Sequence, residues 1–439
     1  MKKITGAFLC LFLLIQGKAQ ETVYPAPAQK DAIALTNATI HIGNGQVIKN
    51  GTVVFSKGKI TDVGASVSTS GAKVIDCKGK HIYPGLISPT TNLGLAEIDA
   101  VRATLDEREL GDMNTNVRSI VAYNSDSKII GTLRSNGILL ANVVPQGGTI
   151  SGSSSIVQLD AWNWEDAAYK MDNGIHFNMP QLSSGRGGRR GGGGFPGGFG
   201  AAAAGGDPAA AAFERIDKVR AFFKEAKAYY DEATHEHVNL KFEAIKGLFN
   251  KTQTFFVHTE GVKEMEVAVE FAKEFGFKTV IVGGNDSWKI ADFLKDNNIA
   301  VILNQMHSIP LSADDDVDQP YKTPSQLQQA GVLFAISDTH AETRGRNLMF
   351  NAGVAAAYGL TKEQALQAIT LSAAKILGID DITGSLEKGK DANIVVSEGD
   401  ILDPKSSKVT NAFIQGRTVN LDDHGKQLYE RYKYKYGLK

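Results

Sequence analysis

Thr254-Phe255-Phe256-Val257-His258, Lys278-Thr279-Val280-Ile281-Val282-Gly283, Ile299-Ala300-Val301-Ile302-Leu303 and Val332-Leu333-Phe334-Ala335-Ile336 are four short, mostly apolar runs. Helical patterns separate the first three, one from Val262 to Phe275 and one near Ser287 to Asn297. A strand that is apolar on both faces is covered on both faces, which is the signature of a parallel sheet wrapped by helices. Upstream, Ile175-His176-Phe177, Ile156-Val157-Gln158-Leu159, Ile138-Leu139-Leu140-Ala141-Asn142-Val143-Val144 and His81-Ile82-Tyr83 have the same character and raise the strand count to eight. The span from residue 81 to 380, less its glycine-rich segment, is close to the ~250 residues of a (β/α)8 barrel. The expectation is therefore an α/β fold, a (β/α)8 TIM barrel over 81–380; a doubly wound open sheet is the alternative.

Outside that span the texture changes. Ala32 to Val74 contains four short alternating runs split by Gly45 and by the Lys57-Gly58 turn, and similar runs return at Asn393-Ile394-Val395-Val396, Lys408 to Ile414 and Arg417-Thr418-Val419. Two strand-rich ends around a different middle predict one small β-sandwich built from residues 31–80 and 384–422.

The chain has 439 residues, 42% of them hydrophobic and 22% charged, with a net charge of −1. That balance argues against a nucleic-acid partner. Much of its glycine is concentrated between Gly185 and Gly206, a stretch that also holds Arg186, Arg189 and Arg190. It lacks the apolar surface to order itself, so 185–206 reads as a disordered surface insertion rather than an RNA-binding Arg-Gly tract.

At the N-terminus, Lys2 and Lys3 precede the apolar run Ala7 to Ile15, and the small residues Gly17 and Ala19 sit two apart. This is the pattern of a cleaved signal peptide over residues 1–19, with a buried N-terminal helix as the alternative. Leu9 stands before Cys10 where a lipoprotein needs a small residue. Cleavage would leave Cys77 as the only cysteine, which suits a bacterial periplasmic or secreted protein without internal disulfides. No other segment is apolar enough to span a membrane.

Two stretches carry a family likeness. Val74-Ile75-Asp76-Cys77-Lys78-Gly79-Lys80-His81-Ile82-Tyr83-Pro84-Gly85-Leu86-Ile87 resembles the entry into the first barrel strand of the amidohydrolase superfamily. Gly359 to Leu366, Ala373 to Gly378 and Gly384-Ser385-Leu386-Glu387-Lys388-Gly389-Lys390-Asp391-Ala392-Asn393 look like its last barrel helices and the return into its β-domain. The likeness is greatest to the branch with imidazolonepropionase and cyclic-imidate or dipeptide (prolidase-like) hydrolases. The resemblance implies metal-dependent hydrolysis of amide-like C–N bonds, usually with zinc, which lowers the pKa of bound water and polarises the carbonyl. It implies ligands at strand ends: His-x-His on strand 1, His on strands 5 and 6, and Asp on strand 8.

The sequence departs from that pattern. The His-x-His positions hold Thr90 and Asn92, and Gly283-Gly284-Asn285 fills the strand-6 stretch, with Gly284 at the degenerate position. Hydroxyl and amide oxygens are poor zinc ligands beside imidazole. His258 and Asp338 survive, and His176 on strand 4 stands near the expected bridging lysine. His176, His258 and Asp338 could form a three-ligand set for one divalent metal, most simply zinc; otherwise His258 and Asp338 are remnants bonded to each other and no metal binds. Asp338 is the expected catalytic base. His307, His340 and Arg344, in loops beyond strands 7 and 8, are candidate substrate contacts, Arg344 as a grip for a carboxylate. Val144 to Gly152 reads as a glycine-rich loop forming pocket wall.

The chain thus reads either as an exported hydrolase of a small amide or cyclic amide with a depleted metal site, or as a catalytically inactive barrel that binds a ligand. The expected partners are a small-molecule substrate or ligand, together with a second copy of the chain or a metal-complete paralogue.

Overall fold

The computed structural model describes residues 24–98, 100–182, 207–232, 234–304 and 306–438. The signal peptide expected over 1–19 and the whole of the insertion expected over 185–206 lie outside them.

The chain opens with five strands, β1 (Ile33–His41), β2 (Val47–Ser56), β3 (Lys59–Gly64), β4 (Lys73–Asp76) and β5 (His81–Pro84). Eight follow: β6 (Leu86–Thr91), β7 (Ile138–Val143), β8 (Ile150–Gln158), β9 (Ala168–Asn178), β10 (Thr254–Thr259), β11 (Thr279–Gly283), β12 (Ala300–Leu303) and β13 (Phe334–Ile336). The last three, β14 (Ile394–Ser397), β15 (Val409–Ile414) and β16 (Arg417–Thr418), return to the first group.

Strands from both ends share one eight-stranded sheet, ordered β16-β15-β14-β5-β1-β2-β3 with β4 beside β1. Phe55 on β2 and Phe413 on β15 are four places apart in that order, ~19 Å along a flat sheet. Their rings nevertheless meet edge-on with centroids 4.9 Å apart. The sheet therefore folds over itself as the expected sandwich, closing on Leu35, Ile40, Val53, Ile82 and Ile394 as its own core.

The second sheet runs β6 to β13 in chain order and makes a nearly closed barrel. Three features correct the sequence reading. His81-Ile82-Tyr83 is a sandwich strand, because β1 and β14 flank it on both sides; the first barrel strand is Leu86–Thr91. Strand β8 is antiparallel to both β7 and β9. The short links on either side of β8 have no room for the crossover that parallel neighbours need. The supposed loop Val144–Gly152 also ends inside β8, which begins at Ile150. The remaining barrel strands run parallel from β6 to β7 and from β9 through β13.

Side chains alternate along these strands. Ile87, Leu140, Ile156, Phe256, Val280, Ile302 and Ala335 form one cluster with Ala373, Ala374, Ile376 and Leu377. The helix Leu371–Leu377 thus plugs the barrel floor and leaves the C-terminal strand ends open for chemistry. The seam between β13 and β6 is closed by a side chain: Ser337 Oγ accepts from Thr90 N at 3.2 Å and donates to Thr90 O at 2.9 Å. The backbone bond Asn92 N to Thr339 O, 3.0 Å, extends the pairing outward.

Candidate active site at the barrel mouth

His176 lies opposite Phe256 in the β9–β10 register. Its ring stacks on the Phe256 ring, 4.8 Å between centroids and 8° from parallel. His258 is two residues beyond Phe256 and faces the same way, so the two imidazoles meet: His176 Nδ1 is 2.8 Å from His258 Nε2. Burial pushes His258 down to about 4 and holds His176 well below the usual histidine range. Both rings are neutral near pH 7, so one nitrogen of the pair donates and the other gives up its lone pair. The other nitrogen of His176, Nε2, is buried with no hydrogen-bond partner among the described residues.

Asp338 follows β13 and is 5% exposed. Burial raises its proton affinity against the opposing pull of Arg344, whose Nη2 is 3.3 Å from Oδ1. That contact lacks hydrogen-bond geometry, leaving Oδ1 unpartnered among the described residues. Arg344 therefore faces Asp338, as one neighbour in a mouth loop. His340 Nδ1 stands 3.5 Å from Glu342 Oε1, and this contact raises the histidine above its ordinary value. His307 is exposed and leans edge-on against Tyr321 of the helix Gln319–Ala330, 5.6 Å between rings.

The degenerate positions are built into the backbone. Thr90 is 1% exposed and its Oγ1 has no partner among the described residues. Asn92 Oδ1 accepts from Ala341 N at 3.0 Å, and Nδ2 donates to Glu107 Oε2 at 3.4 Å. Gly284 has φ +60°, and its N–H donates to Thr259 O at 2.7 Å. A side chain there would meet Val301 in a left-handed conformation that favours glycine.

Sequence reasoning missed Glu260, Glu107 and Glu342. Glu260 follows β10 beside Gly283, accepts from Asn285 N at 3.2 Å, and is pushed up to about 7 by burial. A carboxylate two residues after the strand-5 histidine was a readable signal. Glu107 and Glu342 sit in loops, where apolar periodicity says nothing.

A catalytic zinc takes three protein ligands and an open position. Among the described residues, no three His, Cys, Asp or Glu side chains gather as a metal site. The expected set of His176, His258 and Asp338 is not assembled: the imidazoles bond each other and Asp338 faces a guanidinium. The residues present do not fit a zinc centre of that kind.

Residues 217–419 match the amidohydrolase family model. The imidazolonepropionase of Mesorhizobium japonicum is 25% identical over 80% of this chain and 87% of its own. The 5'-deoxyadenosine deaminase of Methanosarcina barkeri is 40% identical over 65 residues, 15% of this chain and 14% of its own. An amidohydrolase structure from Thermotoga maritima superimposes with a TM-score of 0.74 at 24% identity, covering 88% of this chain and 99% of that one. The barrel with its two-ended sandwich, the strand-end site and these similarities agree: residues 217–419 carry an amidohydrolase domain, and the whole chain resembles the amidohydrolase superfamily in sequence and fold.

Proposed function

We propose that the protein is an exported hydrolase acting on a non-peptide C–N bond, in an amide or cyclic amide, of a small molecule. The observation that carries this reading is the state of two carboxyls at the barrel mouth. Asp338 and Glu260 both bind a proton more tightly than in water, Glu260 with a value of about 7. Carboxyls tuned apart from their ordinary range are what acid–base hydrolysis near neutral pH requires. Asp338 takes a proton from water as the water oxygen attacks the carbonyl carbon. Glu260 gives its proton to the leaving nitrogen as the C–N bond breaks, and proton exchange with solvent resets both. The N-terminal export pattern supports a periplasmic or secreted location.

The test is turnover of small amides and cyclic imides by the purified mature chain and by Asp338→Asn. The variant is expected to lose roughly 10²-fold or more in kcat, the size of a lost acid–base group. Full activity in Asp338→Asn would remove Asp338 from the mechanism.

A second reading is a barrel that binds such a molecule without turnover, alone or paired with a metal-complete paralogue. The His176–His258 bond favours it, because that bond consumes a lone pair a metal would need. Binding without hydrolysis across the same compounds would decide for it.

A further inference from the structure

Where related barrels are expected to carry an imidazole, this chain places the side-chain amide of Asn92 between two carboxylates. Asn92 is 2% exposed and Glu107 is 9% exposed; the Glu342 side chain is likewise only 9% exposed. Asn92 Nδ2 reaches Glu107 Oε2 at 3.4 Å, and Asn92 Oδ1 accepts from the backbone N–H of Ala341, the residue before Glu342, at 3.0 Å. Burial pushes the Glu342 carboxyl up, but hydrogen bonding and the nearby His340 outweigh it and hold it below the ordinary carboxyl value. The cations at hand are few. Arg108 Nη2 meets Glu107 Oε1 at 3.2 Å, yet its side chain is 64% exposed, and such surface pairs contribute little. His340, 3.5 Å from Glu342 Oε1, is itself 41% exposed, and Arg344 is committed to Asp338.

Enclosing carboxylates without a buried cation is costly. Glu342 Oε2 has no partner among the described residues. An independent orphan points to the same place. Thr90 and Asn92 are two apart on a strand whose backbone pairing runs as far as Asn92, so their side chains share a face. The Thr90 hydroxyl, on a residue 1% exposed, is also unpartnered among the described residues. With no group of three metal-binding side chains among the described residues, the donor set suits an organic cation, whose N–H groups can be shared among two carboxylates, an amide and a hydroxyl.

We propose that Glu107 and Glu342, set around the Asn92 amide and flanked by Thr90, form a subsite for an ammonium or guanidinium group of the ligand. The substrate class is then a cationic amide, a molecule with a C–N bond to be cut near Asp338 and a positive charge held at the ends of β6 and β13. The inference rests on the barrel mouth being the ligand site, and it is tested by binding rather than turnover.

Titration calorimetry on the full mature chain would use three probes of matched length: N-acetylcadaverine (cationic), N-pentylacetamide (neutral) and 6-acetamidohexanoate (anionic). The expected result is a Kd for the cationic probe at least roughly tenfold below that of the neutral one, with the anionic probe weakest. Glu342→Gln and Glu107→Gln, each checked for a native melting transition, are both expected to bring the cationic and neutral probes together while leaving neutral-probe affinity unchanged. Equal affinities in the wild type, no binding of the cationic probe, or an undiminished preference in a folded variant would overturn the subsite. A charge preference in a chain that hydrolyses nothing would keep the subsite and discard hydrolysis; turnover without charge preference would do the reverse.

Discussion

Glu260 shows how burial sets the behaviour of a single side chain. Its proton affinity rises from an ordinary 4.5 to about 7 because its carboxyl is enclosed beside Gly283 and near Asp286. The folded state therefore favours the protonated acid. The stability that this contributes is complete below pH 4.5 and is lost as the pH rises through about 7. Glu260→Gln carries no titration, so relative to the wild type it is expected to gain stability between pH 5 and 8, by about 3 kcal/mol at most. Chemical denaturation across that range reads it directly, and an unchanged pH slope in the variant would contradict the account. The residues that were legible beforehand were those in register with a recognisable strand, His176, His258 and Asp338. Glu107 and Glu342 were not, because what brings them together is the Asn92 amide, which bonds Glu107 on one side and the Ala341 N–H before Glu342 on the other, and no local pattern encodes that. Their nearest sequence signal was negative: an amide standing where an imidazole was expected.

At the level of elements, the apolar runs from Thr254 to Ile336 announced themselves because parallel strands buried on both faces need continuous apolar sequence. Strand β8 did not. Its first six residues are Ile150-Ser151-Gly152-Ser153-Ser154-Ser155, all buried, and serine and glycine signal loops. The serines are tolerated there because partners satisfy them: Ser153 Oγ donates to Asp172, Ser154 Oγ to Asn173, and Ser155 Oγ accepts from Asp172 N. Polar satisfaction, invisible in a one-dimensional pattern, took the place of hydrophobicity. The neighbouring β9 carries a second hidden constraint. A Cβ on Gly174 would stand 2.3 Å from the Phe256 ring and 2.6 Å from the Thr254 carbonyl. Neither can retreat easily, since Phe256 stacks on His176 and Thr254 pairs with Gly174 in the ladder. Gly174→Ala is expected to destabilise the fold by roughly 1–3 kcal/mol, as overpacking does, and to disturb the His176–His258 pair. A melting temperature equal to that of the wild type would show that the β9–β10 approach is looser than described.

Over the whole molecule, sandwich and barrel are fastened by buried polar contacts. Asp160, beyond β8, receives Arg134 at 3.1 Å, Arg417 of β16 at 2.9 Å and the backbone N–H of Ala26 at 2.9 Å. Tyr169 of β9 donates to Asp391 beside the returning strands. These ties join both strand-rich ends to a barrel whose floor is plugged and whose mouth is left open. Around that mouth the described residues include carboxyls, an amide, a hydroxyl, Arg344, His340 and a hydrogen-bonded imidazole pair, and the account's central claim is that they work without a three-ligand metal centre. The most direct test is the metal content of the mature protein, measured by elemental mass spectrometry after purification without chelators or a histidine tag and again after incubation with zinc. The account predicts well under one equivalent of any divalent metal in both preparations. Close to one equivalent of zinc, iron or manganese, lost in His258→Ala, would contradict it.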